Sequence, residues 1–386
     1  MNIEGMSVFS KRAIAVEWKG ERITRIAEIE SRDALPYLSP GFLDMQVNGY
    51  CGNDYSLENF DADQLRNIID SMSKSGTTQH VPTIVTSPQE RIVRNLRILA
   101  RQIEGSREIE HAISGIHIEG PFISSEDGPR GAHDPAYVRD PRFEEFQQWQ
   151  EAAGGRIRIV TVDPDRKGAL DFIRKVKETG VTVAIGHSGA EPQQIARALE
   201  AGATVSTHLG NGSYTHIPRL KNYIWEQLAA DELTAGIISD GFHLPPSVVK
   251  VFTRAKGLDR LVLVSDVAHL GGFKPGVYTV GNLTKKVFED GHLGLPGTSI
   301  LAGAGHLLDW DLAHYVRFTG LELAQAIRLC TVNPARVLGL EDSYGRLDTG
   351  APANLVTFRW QPGDDRLRIE RTIRAGREVY TGRGKN

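Results

Sequence analysis

Glu119, His187, His208 and Asp266 are the residues whose types and placement could do chemistry in this 386-residue chain. Each stands at or just past the end of a short apolar run, as do Asp163 and Asp240. One carboxylate and two imidazoles make a ligand set for a single divalent ion that leaves positions open for water and substrate. Zinc is the first expectation, with iron, cobalt or manganese as alternatives, since such a set accepts several first-row ions. Asp266 ends the run Leu-Val-Leu-Val-Ser, where an acid is costly to bury without a partner. Beside an ion-activated water it can take the water proton and return it to a leaving nitrogen. The reaction class is metal-assisted hydrolysis.

Each residue has a plainer alternative. Glu119 could be a salt-bridged rim residue, although Gly120-Pro121 ends its strand and aims a carboxylate at a mouth. Asp266 could cap a helix, but Gly271, Gly272 and Pro275 follow too soon for one to start. Arg219 and His243 lie in loops near the same rim and could hold an anionic group such as a phosphate; a solvated Arg is the equal alternative. His133, in Gly131-Ala132-His133-Asp134-Pro135, sits in a loop that could cover a substrate, and His269 follows Asp266 closely. In the first apolar run Asp44, Gln46 and Asn48 alternate onto one face. A two-metal hydrolase of this architecture would carry His at the last two positions. Neutral amides are poor zinc ligands, so one ion per subunit is expected.

The elements that must position these residues are eight β-rich runs: 41–48, 78–85, 113–119, 157–162, 181–187, 204–208, 233–240 and 261–266. Helical patterns lie at 61–75, 89–103, 169–179, 192–201 and 245–255, and two more follow the last run at 322–329 and 334–338. Strands alternating with helices predict a parallel sheet. Eight units, with no glycine-rich dinucleotide fingerprint after the first strand, favour a (β/α)8 TIM-type barrel over an open sheet. Short alternating runs at both chain ends cannot bury a core alone. They are expected to pair into a small β-sandwich domain, residues 1–38 with 345–386, around a barrel at 39–344.

Composition narrows the class. A chain with 40% hydrophobic and 24% charged residues is globular, and a net charge of −3 offers no basic surface for nucleic acid or an anionic membrane. No run reaches the roughly 18 apolar residues of a membrane span. Two cysteines make neither a disulfide framework nor a Cys-rich zinc site. With no signal-peptide pattern at the N-terminus, a cytoplasmic location is expected.

The stretches PGFLDMQVNG (40–49), GIHIEGPF (115–122), GAHDP (131–135), IGHSGA (185–190), STHLGNG (206–212), SDGFHL (239–244), LVSDVA (263–268) and TVNPARVLGL (331–340) resemble the amidohydrolase superfamily over nearly the whole chain. The resemblance is to its branch that deacetylates amino sugar phosphates. It implies Glu119, His187 and His208 as metal ligands and Asp266 as general acid/base. It implies substrate contacts from His133, Asn211, Gly212, Arg219 and His243, a small amino sugar as substrate, and a homodimer. Gln46 and Asn48 match the single-metal branch. Differences from the family pattern fall near the substrate: His208-Leu-Gly-Asn211-Gly-Ser213, Arg219-Leu-Lys-Asn, Ser265-Asp266-Val267, Leu301-Ala-Gly-Ala304 and Asp163-Pro164-Asp165. An alternative substrate is therefore another N-acyl sugar or another linear or cyclic amide; a silent sugar-binding barrel is the non-enzymatic alternative.

Overall fold

The computed structural model describes residues 1–32, 34–280, 283–298 and 300–382. Residues 383–386 of the expected β domain thus lie outside the described residues. Eight parallel strands form a nearly closed barrel with helices between them: β1 Phe42–Val47, β2 Thr77–Val85, β3 Ile116–Glu119, β4 Ile157–Val162, β5 Thr182–Ile185, β6 Ala203–Ser206, β7 Thr234–Ile237 and β8 Leu261–Leu263. The pairing runs in chain order from β1 to β8. The remaining seam, β8 to β1, closes through a parallel bridge between Val47 and Val267. Asp266 N donates to the Gln46 carbonyl at 3.0 Å and Asn48 N to the Val267 carbonyl at 3.0 Å. That seam brings the end of the first strand against Asp266.

Alternation along the strands explains what lies where. In β3, Ile116 and Ile118 join a large cluster with Phe122, Phe146, Trp149 and Phe172, packed under the helices. His117 and Glu119 take the other face. Leu43, Met45, Val81, Ile159, Ala184, Val205, Val262 and Val264 form a second cluster. Side chains from non-adjacent strands can meet this way only across the barrel interior. Towards the mouth a polar layer follows: His117 Nε2 lies 2.7 Å from Thr161 Oγ1, which lies 2.8 Å from Thr207 Oγ1. The helices bury one stripe each. In Gln89–Gly105 it is Ile92, Leu96, Leu99 and Ile103, the spacing of a single helix face.

Both chain ends enter one seven-stranded sheet. Its order is Arg377–Thr381, Arg368–Arg374, Leu355–Arg359, Tyr37–Pro40, Asn2–Ser7, Ala13–Lys19 and Arg22–Glu28. Tyr37–Pro40 is the join, parallel to Asn2–Ser7 and antiparallel to Leu355–Arg359. Trp18 Nε1 ties the N-terminal hairpin to the Gly376 carbonyl at 2.8 Å. After β8 comes a three-stranded antiparallel unit, Gly276–Val280, Leu283–Val287 and Leu293–Gly294, which the sequence pattern does not anticipate. The helix Leu308–Thr319 is also unanticipated. It buries Asp309 and Asp311 as well as Leu308 and Leu312, so its apolar stripe is broken by charge. No helix among the described residues is long and apolar enough to cross a membrane.

Candidate active site

Glu119 is the last residue of β3, and His187 and His208 each stand two residues past the ends of β5 and β6. All three are buried, Glu119 to 2% and His208 to 3% exposure. Glu119 Oε1 lies 3.2 Å from His187 Nε2 and 2.9 Å from His208 Nε2, and the two Nε2 atoms are 3.1 Å apart. Atoms that carry lone pairs repel at this range unless a proton or a cation lies among them. Donors of these types gathered this closely would fit as ligands of one divalent ion.

The backbone that presents them is strained. φ is 50° at His187, 29° at His208 and 49° at Asp266, all left-handed. Side-chain-bearing residues hold such angles at a cost of about 1–3 kcal/mol each, and only where the surroundings over-determine them. Here the surroundings do. The His187 carbonyl accepts from Ser124 N at 2.9 Å. His208 is bracketed by Thr207 N to the Ile185 carbonyl and Leu209 N to the Gly236 carbonyl, both 2.8 Å. Asp266 is pinned by the barrel seam and by Ala304 N, which donates to its carbonyl at 3.3 Å.

The surrounding side chains orient the rings. His187 Nδ1 donates to the Pro129 carbonyl at 2.9 Å, which leaves Nε2 as the lone-pair nitrogen. Gly212, with φ 56°, lies flat against that ring; a Cβ there would stand 2.7 Å from His187 Nδ1. His208 has no such support, since its Nδ1 is buried without a partner among the described residues. Asp163 also finds its place: Oδ1 accepts from Ser188 Oγ at 2.5 Å and from Asp165 N at 3.0 Å, fixing the residue that follows His187.

His133 is closer to the centre than a covering loop requires. Its Nε2 is 3.2 Å from His187 Nε2, and its Nδ1 is 2.8 Å from Thr86 Oγ1. Glu119, His133 and His187 offer ligand atoms all within 4.8 Å of one another. A buried Glu/His/His cluster therefore fits a metal site. Of the two overlapping triads the one with His208 is tighter, with every side at 3.2 Å or less. Burial, then the neighbouring His187, holds His133 well below the usual imidazole range, so it is neutral. Burial would raise the Glu119 carboxyl, but the His187 and His208 imidazoles beside it outweigh that and hold it well below the carboxylate range. Burial likewise opposes charge on His208, yet its bond to Glu119 pushes it up to about 9. The cluster calls for positive charge at its centre. A divalent cation supplies that charge and displaces the proton.

Asp266 stands beside this triangle. Its Oδ1 accepts from Asn48 Nδ2 at 2.7 Å and Gln46 Nε2 at 3.0 Å, and Gln46 Nε2 also donates to Glu119 Oε1 at 2.8 Å. Burial, then the charge of Glu119, raises its carboxyl above the ordinary value. In the sequence Gln46 and Asn48 read only as missing ligands. The signal for more is present there, since buried amides at the end of an apolar strand need hydrogen-bond partners. Past the end of the neighbouring strand β7, Asp240 Oδ1 accepts from Phe242 N at 2.8 Å and His243 N at 2.9 Å, and Oδ2 accepts from His243 Nδ1 at 2.7 Å. Burial works against the Asp240 charge, but His243 and these bonds hold its carboxyl down to about 2. Asn211 bonds the His208 carbonyl through its backbone N at 3.0 Å and Nδ2 at 3.3 Å. Arg219 is not brought to the cluster. It is exposed, its guanidinium has no hydrogen bond or ion pair among the described residues, and only its carbonyl is used, by Trp225 Nε1 at 3.2 Å. His269 leans on Phe273, ring centres 6.2 Å apart, and takes no part in the cluster.

Comparison with known proteins gives the family. The model of the amidohydrolase family matches residues 37–379. The chain is 33% identical over 358 residues to N-acetylglucosamine-6-phosphate deacetylase of Bos taurus, covering 89% of this chain and 83% of that protein. It is 30% identical over 322 residues to the deacetylase of the same name from Bacillus subtilis (strain 168), covering 83% and 80%. Among solved structures, a mutant N-acetyl-D-glucosamine-6-phosphate deacetylase from Mycobacterium smegmatis, in complex with N-acetyl-D-glucosamine-6-phosphate, superposes with a TM-score of 0.85. It has 31% identity and covers 96% of this chain and 95% of that one. This chain belongs to the amidohydrolase family.

Proposed function

We propose that this chain is a metal-dependent deacetylase that hydrolyses the acetamide of N-acetylglucosamine-6-phosphate, releasing acetate and glucosamine-6-phosphate. The observation that carries the reading is the convergence of Glu119, His187 and His208 within 3.2 Å of one another. Asp266 is linked to that triangle through Gln46. Glu119, His187 and His208 would hold one divalent ion per subunit, zinc first among iron, cobalt and manganese. When bound, that ion polarises the amide carbonyl and makes water acidic enough to attack at neutral pH.

The chain's own groups do the rest. Asp266 takes the proton of the attacking water and delivers it to the amine nitrogen as the C–N bond breaks. In the tautomer that accepts from Thr86 at Nδ1, His133 carries its proton on Nε2 and can donate it to the carbonyl oxygen as charge develops there. His243 gives its Nδ1 proton to Asp240, which leaves Nε2 free to accept from a sugar hydroxyl. Asn211 and Gly212 would meet the substrate from the loop after β6, and Arg219 is the cation for the phosphate. We also propose a homodimer in the cytoplasm; two unpaired cysteines, one of them exposed, suit a reducing compartment.

A second reading, an N-acetyl sugar without phosphate or a different epimer, is favoured by the exposed Arg219. A panel of N-acetylated sugars with and without 6-phosphate, scored for free amine on metal-loaded enzyme, separates the two. Turnover led by N-acetylglucosamine-6-phosphate is expected. Equal turnover of the unphosphorylated sugar would replace the first reading with the second.

A further inference from the structure

The seam that closes the barrel sets two amides against one carboxylate oxygen. Asn48 Nδ2 at 2.7 Å and Gln46 Nε2 at 3.0 Å both meet Oδ1 of Asp266, while Oδ2 has no hydrogen-bond partner among the described residues. We propose that Gln46 and Asn48 are a positioning clamp that holds Asp266 by Oδ1 and reserves Oδ2 for proton transfer. The proposal rests on Asp266 being the proton carrier.

The hydrogen-bond inventory supports the clamp. Gln46 Nε2 stands between two carboxylate oxygens, 2.8 Å from Glu119 Oε1 and 3.0 Å from Asp266 Oδ1. Only a nitrogen with two hydrogens can serve both; an imidazole nitrogen carries at most one. Turning either amide over would set its oxygen against a carboxylate oxygen, so the carboxylates dictate the orientation. Asn48 accepts this orientation at its own expense, because its Oδ1 is buried with no partner among the described residues. An amide placed for its own satisfaction would not be left so. With two donors on Oδ1, the carboxylate cannot turn its plane without losing both. Oδ2 is then the oxygen that takes a proton from water and gives it to the leaving nitrogen. Neither amide need touch the sugar, so the clamp acts on the chemical step and not on substrate binding.

The test uses metal-loaded enzyme and four variants: Asn48→Ala, Asn48→Asp (same shape, no donor), Gln46→Glu and Asp266→Asn. Each is assayed for kcat, KM, metal content per chain and thermal midpoint. The clamp predicts that the Asn48 and Gln46 variants lose kcat by about 10–100-fold, in the range seen when supporting groups of a metal centre are removed. KM should stay within about two-fold and metal content at the wild-type value. Asp266→Asn should lose more. If Asn48→Ala and Asn48→Asp keep kcat while Asp266→Asn loses it, the clamp is wrong and the proton-carrier reading stands. Losses in KM or metal content in place of kcat would assign the amides a structural role and also overturn the clamp. If Asp266→Asn keeps its turnover, the proton-carrier reading falls and the clamp falls with it.

Discussion

Arg219 stands only eleven positions after His208, yet the two belong to differently built regions. His208 stands at a strand end, buried to 3%, on left-handed backbone whose neighbours donate to carbonyls of β5 and β7. Arg219 lies on an exposed loop with Tyr214 and Leu220, at 39% and 77% exposure, and its charge meets no partner among the described residues. The first region tolerates strain because the barrel over-determines it. The second is free to vary because little rests on it. In the proposed function, reaction type belongs to the strand ends and substrate choice to the loops. The departures from the family pattern around Asn211 and Arg219 fall on the loop side of that division, while the one at Ala304 is buried against the strand-end seam.

Two substitutions can break the comparison. The larger effect is expected at the strand end: Asp266→Asn should cut kcat by about 10²–10⁴-fold with metal retained, the usual contribution of a positioned acid/base. Wild-type turnover in that variant would remove Asp266 from the chemistry. The smaller effect is expected in the loop. Arg219→Ala should raise KM for the 6-phosphorylated sugar by about tenfold, the worth of one charge-assisted hydrogen bond, and leave kcat in place. Unchanged affinity for phosphorylated substrate would remove the phosphate role from Arg219. A kcat loss as large as that of Asp266→Asn would erase the division between the two regions.

Most of the barrel was legible in the sequence because its parts are periodic. All eight apolar runs became strands, and helices such as Gln89–Gly105 and Pro192–Ala201 show the single buried stripe that the pattern calls for. The segments that escaped lack that signal. Leu308–Thr319 interrupts its stripe with buried Asp309 and Asp311, and Phe143–Ala152 sets its buried Phe146, Trp149 and Ala152 among Glu and Gln residues. At the site, residue type and strand-end position single out Glu119, His187, His208 and Asp266, which the structure gathers. Spacing along the chain could not give their distances. It could not show that His133 reaches back to 3.2 Å from His187, nor that a seam between the first and last strands would turn Gln46 and Asn48 toward Asp266. Those contacts join residues 54 to 220 positions apart, and only the closed barrel brings them together.

The central claim, one ion held by Glu119, His187 and His208 and used for deacetylation, is tested most directly by titrating metal-stripped enzyme with zinc while measuring amine release from N-acetylglucosamine-6-phosphate. The account predicts negligible activity in the stripped enzyme, a linear rise, and a plateau at one equivalent per chain. Full activity without metal, or a rise that continues to a second equivalent, would contradict it.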